Sequence, residues 1–148
     1  CIMKEYFNDP VATEESFLNG WLLTGDVGKF DEDGYLYILD RKKDMIITGG
    51  ENVYSVEVEN VLYSHPAVLE AMVIGIPDTK WGEAVKGVIV LKEGCTASEE
   101  EIISYCREQI ASYKTPKSID FMNELPRTGS GKLYKKALKD FYNKQHTK

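Results

Sequence analysis

The stretch PRTGSGK, residues 126–132, holds the side chain with the clearest capacity for chemistry, Lys132, behind Gly129 and Gly131. A phosphate loop of the Walker type needs G-x-x-x-x-G-K followed by Ser or Thr. That pattern asks for glycine at 126 and a hydroxyl at 133, where the chain has Pro126 and Leu133. The Walker reading fails at both positions. Two others stay open: a lysine on a flexible surface loop, or a loop that aims one lysine at a phosphate held elsewhere. Asp26 follows Gly25, where an aspartate most simply forms a turn. Arg41 and Lys43 sit in the run Asp40–Asp44, which has no apolar residue, and Gly49-Gly50 follows a short apolar segment. His65 and His146 stand alone. Cys1, Cys95 and Cys106 show no metal-ligand spacing, so no metal site is expected.

These side chains need a scaffold, and 148 residues with 43% hydrophobic and 28% charged content suit one soluble domain, or a small domain with part of another. No run approaches 18 apolar residues, which argues against a membrane-spanning helix. The start, CIMKEYFNDP, is not a signal peptide. It lacks an initiator Met, so a piece of a longer chain is expected. An odd number of cysteines suits a reducing, cytoplasmic setting better than a disulfide framework. The net charge of −6 is unevenly spread: residues 1–112 carry −12 and residues 113–148 carry +6. A basic stretch can face nucleic acid through Lys135, Lys136 and Lys139. It can equally be a solvated helix, or a field that draws a small anion toward Lys132.

The pattern predicts a short helix from Thr13 to Leu18, capped by Thr13. GKFDEDGYLYILD reads as a hairpin turning at Asp33-Gly34. A strand is expected at 45–47, then a helix capped by Ser55 with Val58, Val61 and Leu62 inward, ended by His65-Pro66. VLEAMVIGIP and EAVKGVIVLK read as strands joined by DTKWGE. Ser98 to Glu101 is a capping box opening a helix that Thr115-Pro116 breaks. SIDFM is a strand. A last helix is expected from Leu133 to Tyr142, with Leu133, Leu138 and Phe141 inward and the tail fraying from Asn143. From Met45 onward the alternation suggests one α/β or α+β unit. Residues 1–40 have another texture, and the join falls in Asp40–Asp44.

Four stretches, in this order and spacing, carry a resemblance: WLLTGD (21–26), DRKKDMIITGGENVYSVEVE (40–59), YKTP (113–116) and PRTGSGKL (126–133). Together they closely resemble the C-terminal end of the adenylate-forming superfamily of acyl-CoA synthetases, luciferases and peptide-synthetase adenylation domains. The wording of 40–54 is most similar to bacterial long- or medium-chain fatty-acid–CoA ligases. The resemblance implies an α+β fold, a small C-terminal lid domain with a central sheet flanked by helices at 44–148. Residues 1–43, a helix plus hairpin, would be the end of the large AMP-binding N-terminal domain, up to the hinge.

The family's chemistry has two halves. A carboxylate attacks the α-phosphate of ATP, giving an acyl-adenylate and pyrophosphate; after the lid rotates, the thiol of CoA displaces AMP. By resemblance Lys132 is the adenylation lysine, and a cation there stabilises the charge that builds in the first step. Asp26 matches the aspartate that binds both ribose hydroxyls, and Arg41 the arginine on ribose or phosphate. Lys43 falls at the hinge. Gly49, Gly50, Glu51 and Asn52 form the loop of the thioester-forming state, where glycine lets the pantetheine arm approach. Ile47 stands where some plant and insect members carry a second lysine, which argues against a luciferase-like use of that position. Trp81 in DTKWGE is expected to pack rather than bind ligand, and Trp21 to pack on the larger domain.

The implied ligands are ATP or AMP, CoA and a carboxylic acid, with Mg2+ arriving on ATP and no ligand for it in this chain. The implied partner is the N-terminal domain of the same polypeptide. Without it the chain is expected to be inactive, with exposed apolar surface in residues 1–40 that favours dimer contacts. Alternatives are a peptide-synthetase adenylation domain, an aryl-CoA ligase, or a small basic module binding nucleic acid or protein. Acylation of Lys132 would remove the charge that adenylation needs.

Overall fold

The computed structural model describes residues 2–146, the last two as backbone only. Cys1 and the side chain of His146 lie outside the described residues. The chain divides into two compact units, residues 1–43 and 44–148.

The first unit opens with α1, Pro10–Glu15. Its cap is Asp9, whose Oδ1 accepts from the Ala12 N–H at 3.0 Å. Pro10 follows at the first helical position, where a missing N–H costs nothing. Thr13 is therefore not the cap; its hydroxyl bonds back to the Asp9 carbonyl at 2.7 Å. The helix also stops earlier than expected, because Phe17–Leu18 is extended as β1 and pairs with β2, Trp21–Leu22. The hairpin of β3, Asp26–Phe30, and β4, Leu36–Arg41, forms around the expected Asp33-Gly34 turn, with a bulge between Val27 and Gly28. Much of this unit's apolar surface is uncovered: Trp21 is 78% exposed, Phe30 71% and Phe7 92%.

The second unit is a mixed sheet with helices on both faces. Its elements are β5 Ile46–Thr48, β6 Glu51–Val53, α2 Ser55–Ser64, β7 Val68–Asp78, β8 Gly82–Leu91, α3 Glu99–Gln109, β9 Ser118–Phe121 and α4 Lys135–His146. The strand order is β6-β5-β8-β7, with β9 parallel to β8. β7 and β8 read as near-continuous apolar runs because both of their faces are covered. Ala71 and Val73 share one buried cluster with Val58 and Leu62 of α2 and Ile102 and Cys106 of α3. Met72 and Ile74 share the other with Leu138 and Tyr142 of α4. Each such large side chain removed from water contributes about 1.5–3 kcal/mol.

Five local expectations change. Ser55 does not cap α2: Tyr54 holds the cap position, and Ser55 is the first helical residue. Its hydroxyl instead accepts from Lys135 Nζ at 2.6 Å. α3, capped by Ser98 as expected, ends at Ile110 rather than at Thr115-Pro116. Ile110 turns extended while its side chain stays against the core. In α4 the inward pair is Leu138 and Tyr142, four residues apart, while Phe141 is half exposed. The same helix runs to His146 instead of fraying from Asn143. Finally, β6 was not expected; Gly49-Gly50 turns the chain back instead of ending a lone strand.

Candidate functional site

Lys132 is carried by a loop that folds back on itself. The backbone of Arg127 bridges that of Leu133 in antiparallel fashion. Within that frame Thr128 N–H donates to the Lys132 carbonyl at 2.8 Å, and Gly131 N–H to the Thr128 carbonyl at 2.9 Å. The Thr128 hydroxyl accepts from the Lys132 N–H at 3.2 Å and meets the Ser130 hydroxyl at 2.9 Å. Gly131 has φ +83°, a value that strains any other residue, while Gly129 has no positive φ. The Lys132 side chain points outward, and among the described residues none bonds its ammonium. Arg127, which no sequence motif singles out, donates through Nη1 to the Gly131 carbonyl at 2.8 Å and through Nη2 to the Glu70 carboxylate.

Asp26 and Arg41 meet in the first unit. They are ladder partners across the β3–β4 hairpin, and Arg41 Nε lies 2.9 Å from Asp26 Oδ1. The Asp26 N–H donates to the Thr24 hydroxyl at 3.1 Å, and the Lys42 N–H to the Gly25 carbonyl at 2.8 Å. A carboxylate and a guanidinium thus share one end of a two-stranded ribbon. Together they can accept from hydroxyls and donate to an anion. Lys43 closes the first unit in an exposed turn that spans residues 42–44.

Gly49 and Gly50 form the two-residue turn between β5 and β6, with φ +60° and +86°. A hairpin turn with both central residues at positive φ matches the twist of its strands. Trp81 backs this turn. Its carbonyl accepts from the Gly49 N–H at 2.9 Å. A Cβ on Gly49 would lie 2.8 Å from the Trp81 ring, so the glycine permits the contact. Glu51 and Asn52 are exposed on the strand that follows.

The DTKWGE loop supports this arrangement from beneath. The Asp78 carboxylate accepts from the N–H groups of Trp81 and Lys80, and these bonds hold it below the usual carboxylate range. Glu83 accepts from the Ile47 N–H at 2.8 Å, tying β8 to β5. Ile47 itself is half exposed. No sequence rule flags Glu83, because its partner lies 36 residues away. Beside the turn, Thr48, Gly49, Glu51, Trp81, Tyr113 and Lys117 line a cavity of about 300 Å³.

Two lysines of the basic stretch are otherwise engaged. Lys135 lies 2.8 Å from Glu59, and Lys139 lies 3.6 Å from Asp44. Lys86, nearly buried, pairs with Asp120 at 2.7 Å, and Tyr142 donates to the same carboxylate. Two of the three lysines that a nucleic-acid face requires thus point at carboxylates of this chain.

Comparison with known proteins matches residues 57–132 to the AMP-binding enzyme C-terminal domain. A long-chain-fatty-acid–CoA ligase, FadD13 of Mycobacterium tuberculosis, is 48% identical over 142 residues, covering 96% of this chain and 28% of the relative. A 2-succinylbenzoate–CoA ligase of Bacillus cereus is 52% identical over 134 residues, covering 90% of this chain and 27% of the relative. The crystal structure of ATP-bound MatB from Rhodopseudomonas palustris superposes with a TM-score of 0.89 at 40% identity. It covers 97% of this chain and 29% of the MatB chain. The chain thus spans a little over a quarter of the length of the curated relatives it matches.

Proposed function

The chain belongs to the AMP-binding enzyme C-terminal domain family, and from that premise we propose that it is the C-terminal part of an ATP-dependent acid–thiol ligase. The full enzyme joins a carboxylic acid to CoA and splits ATP to AMP and pyrophosphate. Residues 1–43 are then the last segment of the AMP-binding body, and 44–148 the mobile lid. The uncovered Trp21, Phe30 and Phe7 support this, since they suit a surface that packs on the rest of that body.

In the first half-reaction a carboxylate oxygen attacks the α-phosphorus of ATP, and the bond to pyrophosphate breaks. Asp26 accepts from the ribose hydroxyls while Arg41 braces it and faces the phosphate side. Lys132 offers an outward ammonium, with no internal partner among the described residues, to the negative charge gathering on phosphate and carboxylate. In the second half-reaction the chain turns about Lys43. The Gly49-Gly50 turn is then presented to the pantetheine arm, whose thiol attacks the acyl carbon and releases AMP. ATP carries its own Mg2+.

The reading rests on one observation above the others: a loop with its own internal bonds presents a lysine that has no partner among the described residues, within a chain that matches the AMP-binding enzyme C-terminal domain. A fatty acid is the proposed substrate, supported by the likeness to FadD13 over 96% of this chain. An aryl acid is the second reading, favoured by the 52% identity to a 2-succinylbenzoate–CoA ligase. Among the described residues no helix is long and apolar enough to cross a membrane. Cys95 and Cys106 are free thiols, which suits a reducing cytoplasm. The test uses the intact parent enzyme with ATP, CoA and a panel of carboxylic acids. Lys132→Ala should lower ATP–pyrophosphate exchange by about 10²–10³-fold. Exchange at the parental rate in that variant overturns the proposal.

A further inference from the structure

We propose that Arg127 is a positioning residue for Lys132, a two-pronged clamp whose anchor is Glu70; the inference rests on the reading of Lys132 above. A lysine side chain is long and loses much rotamer freedom when fixed. Its ammonium can be aimed only if its own backbone is held. The carbonyl of Gly131 belongs to the peptide unit that leads into Lys132, and Arg127 Nη1 donates to that oxygen at 2.8 Å. The other prong, Nη2, donates to the Glu70 carboxylate.

Glu70 is well placed to serve as an anchor. The register of β7 against β8 shifts between Val68 and Glu70, so Leu69 is bulged out. Bulges re-aim the side chains beside them. The next residues, Ala71 and Met72, are fully buried on opposite faces of the sheet. The bonds among Thr128, Ser130, Gly131 and Lys132 tie the loop to itself. Arg127 ties that closed loop to the sheet. The pairing with Glu70 also balances the guanidinium charge, so that Arg127 does not compete with Lys132 for an anion. A guanidinium has donors in a rigid fork and can serve both partners at once; an ammonium is a point charge and cannot hold that geometry.

The test uses the intact parent enzyme and follows two steps separately: ATP–pyrophosphate exchange, and thioester formation from a supplied acyl-adenylate. Arg127→Ala, Arg127→Lys, Glu70→Ala and the double alanine variant are compared with Lys132→Ala. A misplaced catalytic group costs up to about 10²-fold. Arg127→Ala and Glu70→Ala are expected to lower exchange by about 10- to 100-fold. Thioester formation should stay within about twofold of the parent, and the double variant should be no slower than Arg127→Ala, as expected of residues acting through one contact. Arg127→Lys should recover only part of the loss.

Glu70→Ala at the parental exchange rate overturns the clamp. So does an equal fall in both steps together with a lowered melting temperature, which marks a contact that only supports the fold. If Lys132→Ala itself exchanges at the parental rate, the failure lies with the reading of Lys132, and the clamp falls with it.

Discussion

Arg41 Nε lies 2.9 Å from Asp26 Oδ1, and the two residues are also ladder partners across the β3–β4 hairpin. The backbone register therefore sets the distance between the two charges. Arg41 engages one carboxylate oxygen, and the lone pairs of the other are available to a diol. The exposed pair contributes little to stability, since ion pairs in solvent are worth about 0–1 kcal/mol.

Asp26→Asn in the intact enzyme keeps the shape of the side chain and removes its charge. Hydrogen bonds to a charged group are worth about 1.5–3 kcal/mol, so KM for ATP should rise by about tenfold or more. The melting temperature should stay close to that of the parent. An unchanged KM for ATP removes Asp26 from the nucleotide site.

Lys43→Pro should separate the two half-reactions. Proline fixes φ near −65° and prevents the large backbone change that a hinge needs. Pyrophosphate exchange should stay within about threefold of the parent, while thioester formation falls by at least about tenfold. Equal losses in both steps place the pivot elsewhere.

Gly49→Ala adds a methyl group 2.8 Å from the Trp81 ring at a position with φ +60°. The turn must shift or the indole must move, at a cost of about 1–3 kcal/mol. Thioester formation should fall more than adenylation. Indole fluorescence should also change, because Trp81 is displaced. In a Trp81→Ala background the clash is gone, so Gly49→Ala should cost less stability there than in the parent, with the strain of φ +60° remaining.

Cys106 supplies a pH test on the second unit. Burial pushes its thiol from 9.0 up to about 11. The folded state therefore keeps its proton where the unfolded chain releases it. The stability held at lower pH is full below about pH 9 and is lost as the pH rises toward about 11. Denaturant midpoints measured at pH 8 and pH 10.5 should show the fall, and Cys106→Ala should reduce the difference between them. A thiol reagent should label Cys95, which is exposed, well before Cys106, which reacts only on unfolding.

The elements of the second unit were readable because their signals are local and agree with one another. Val58 and Leu62 mark a helix face, Ser98 and Glu101 a cap, and the run from Val68 to Pro77 a strand covered on both sides. Errors arose where a partner far along the chain decides the outcome. Ser55 looked like a cap, but its hydroxyl is used by Lys135, 80 residues later. Phe141 looked inward, but the register set by Leu138 turns Tyr142 to the core, where Asp120 takes its hydroxyl. The candidate site divides in the same way. Lys132, Gly49 and Gly50 were legible from residue type and from resemblance. Glu70, Glu83 and the role of Arg127 depend on contacts between 36 and 57 residues apart, which no short pattern encodes.

The helix α4 lies over Met72, Ile74 and Val88, and this has a bearing on biogenesis. During synthesis on the ribosome that greasy face is complete once β8 has emerged, yet its cover is translated some forty residues later. At about 5–20 residues per second, the nascent chain spends several seconds with the sheet half-clothed. A stall before Leu138 leaves a ready substrate for chaperones and for aggregation, so the same stretch that delivers Lys132 also completes the shelter of the domain behind it.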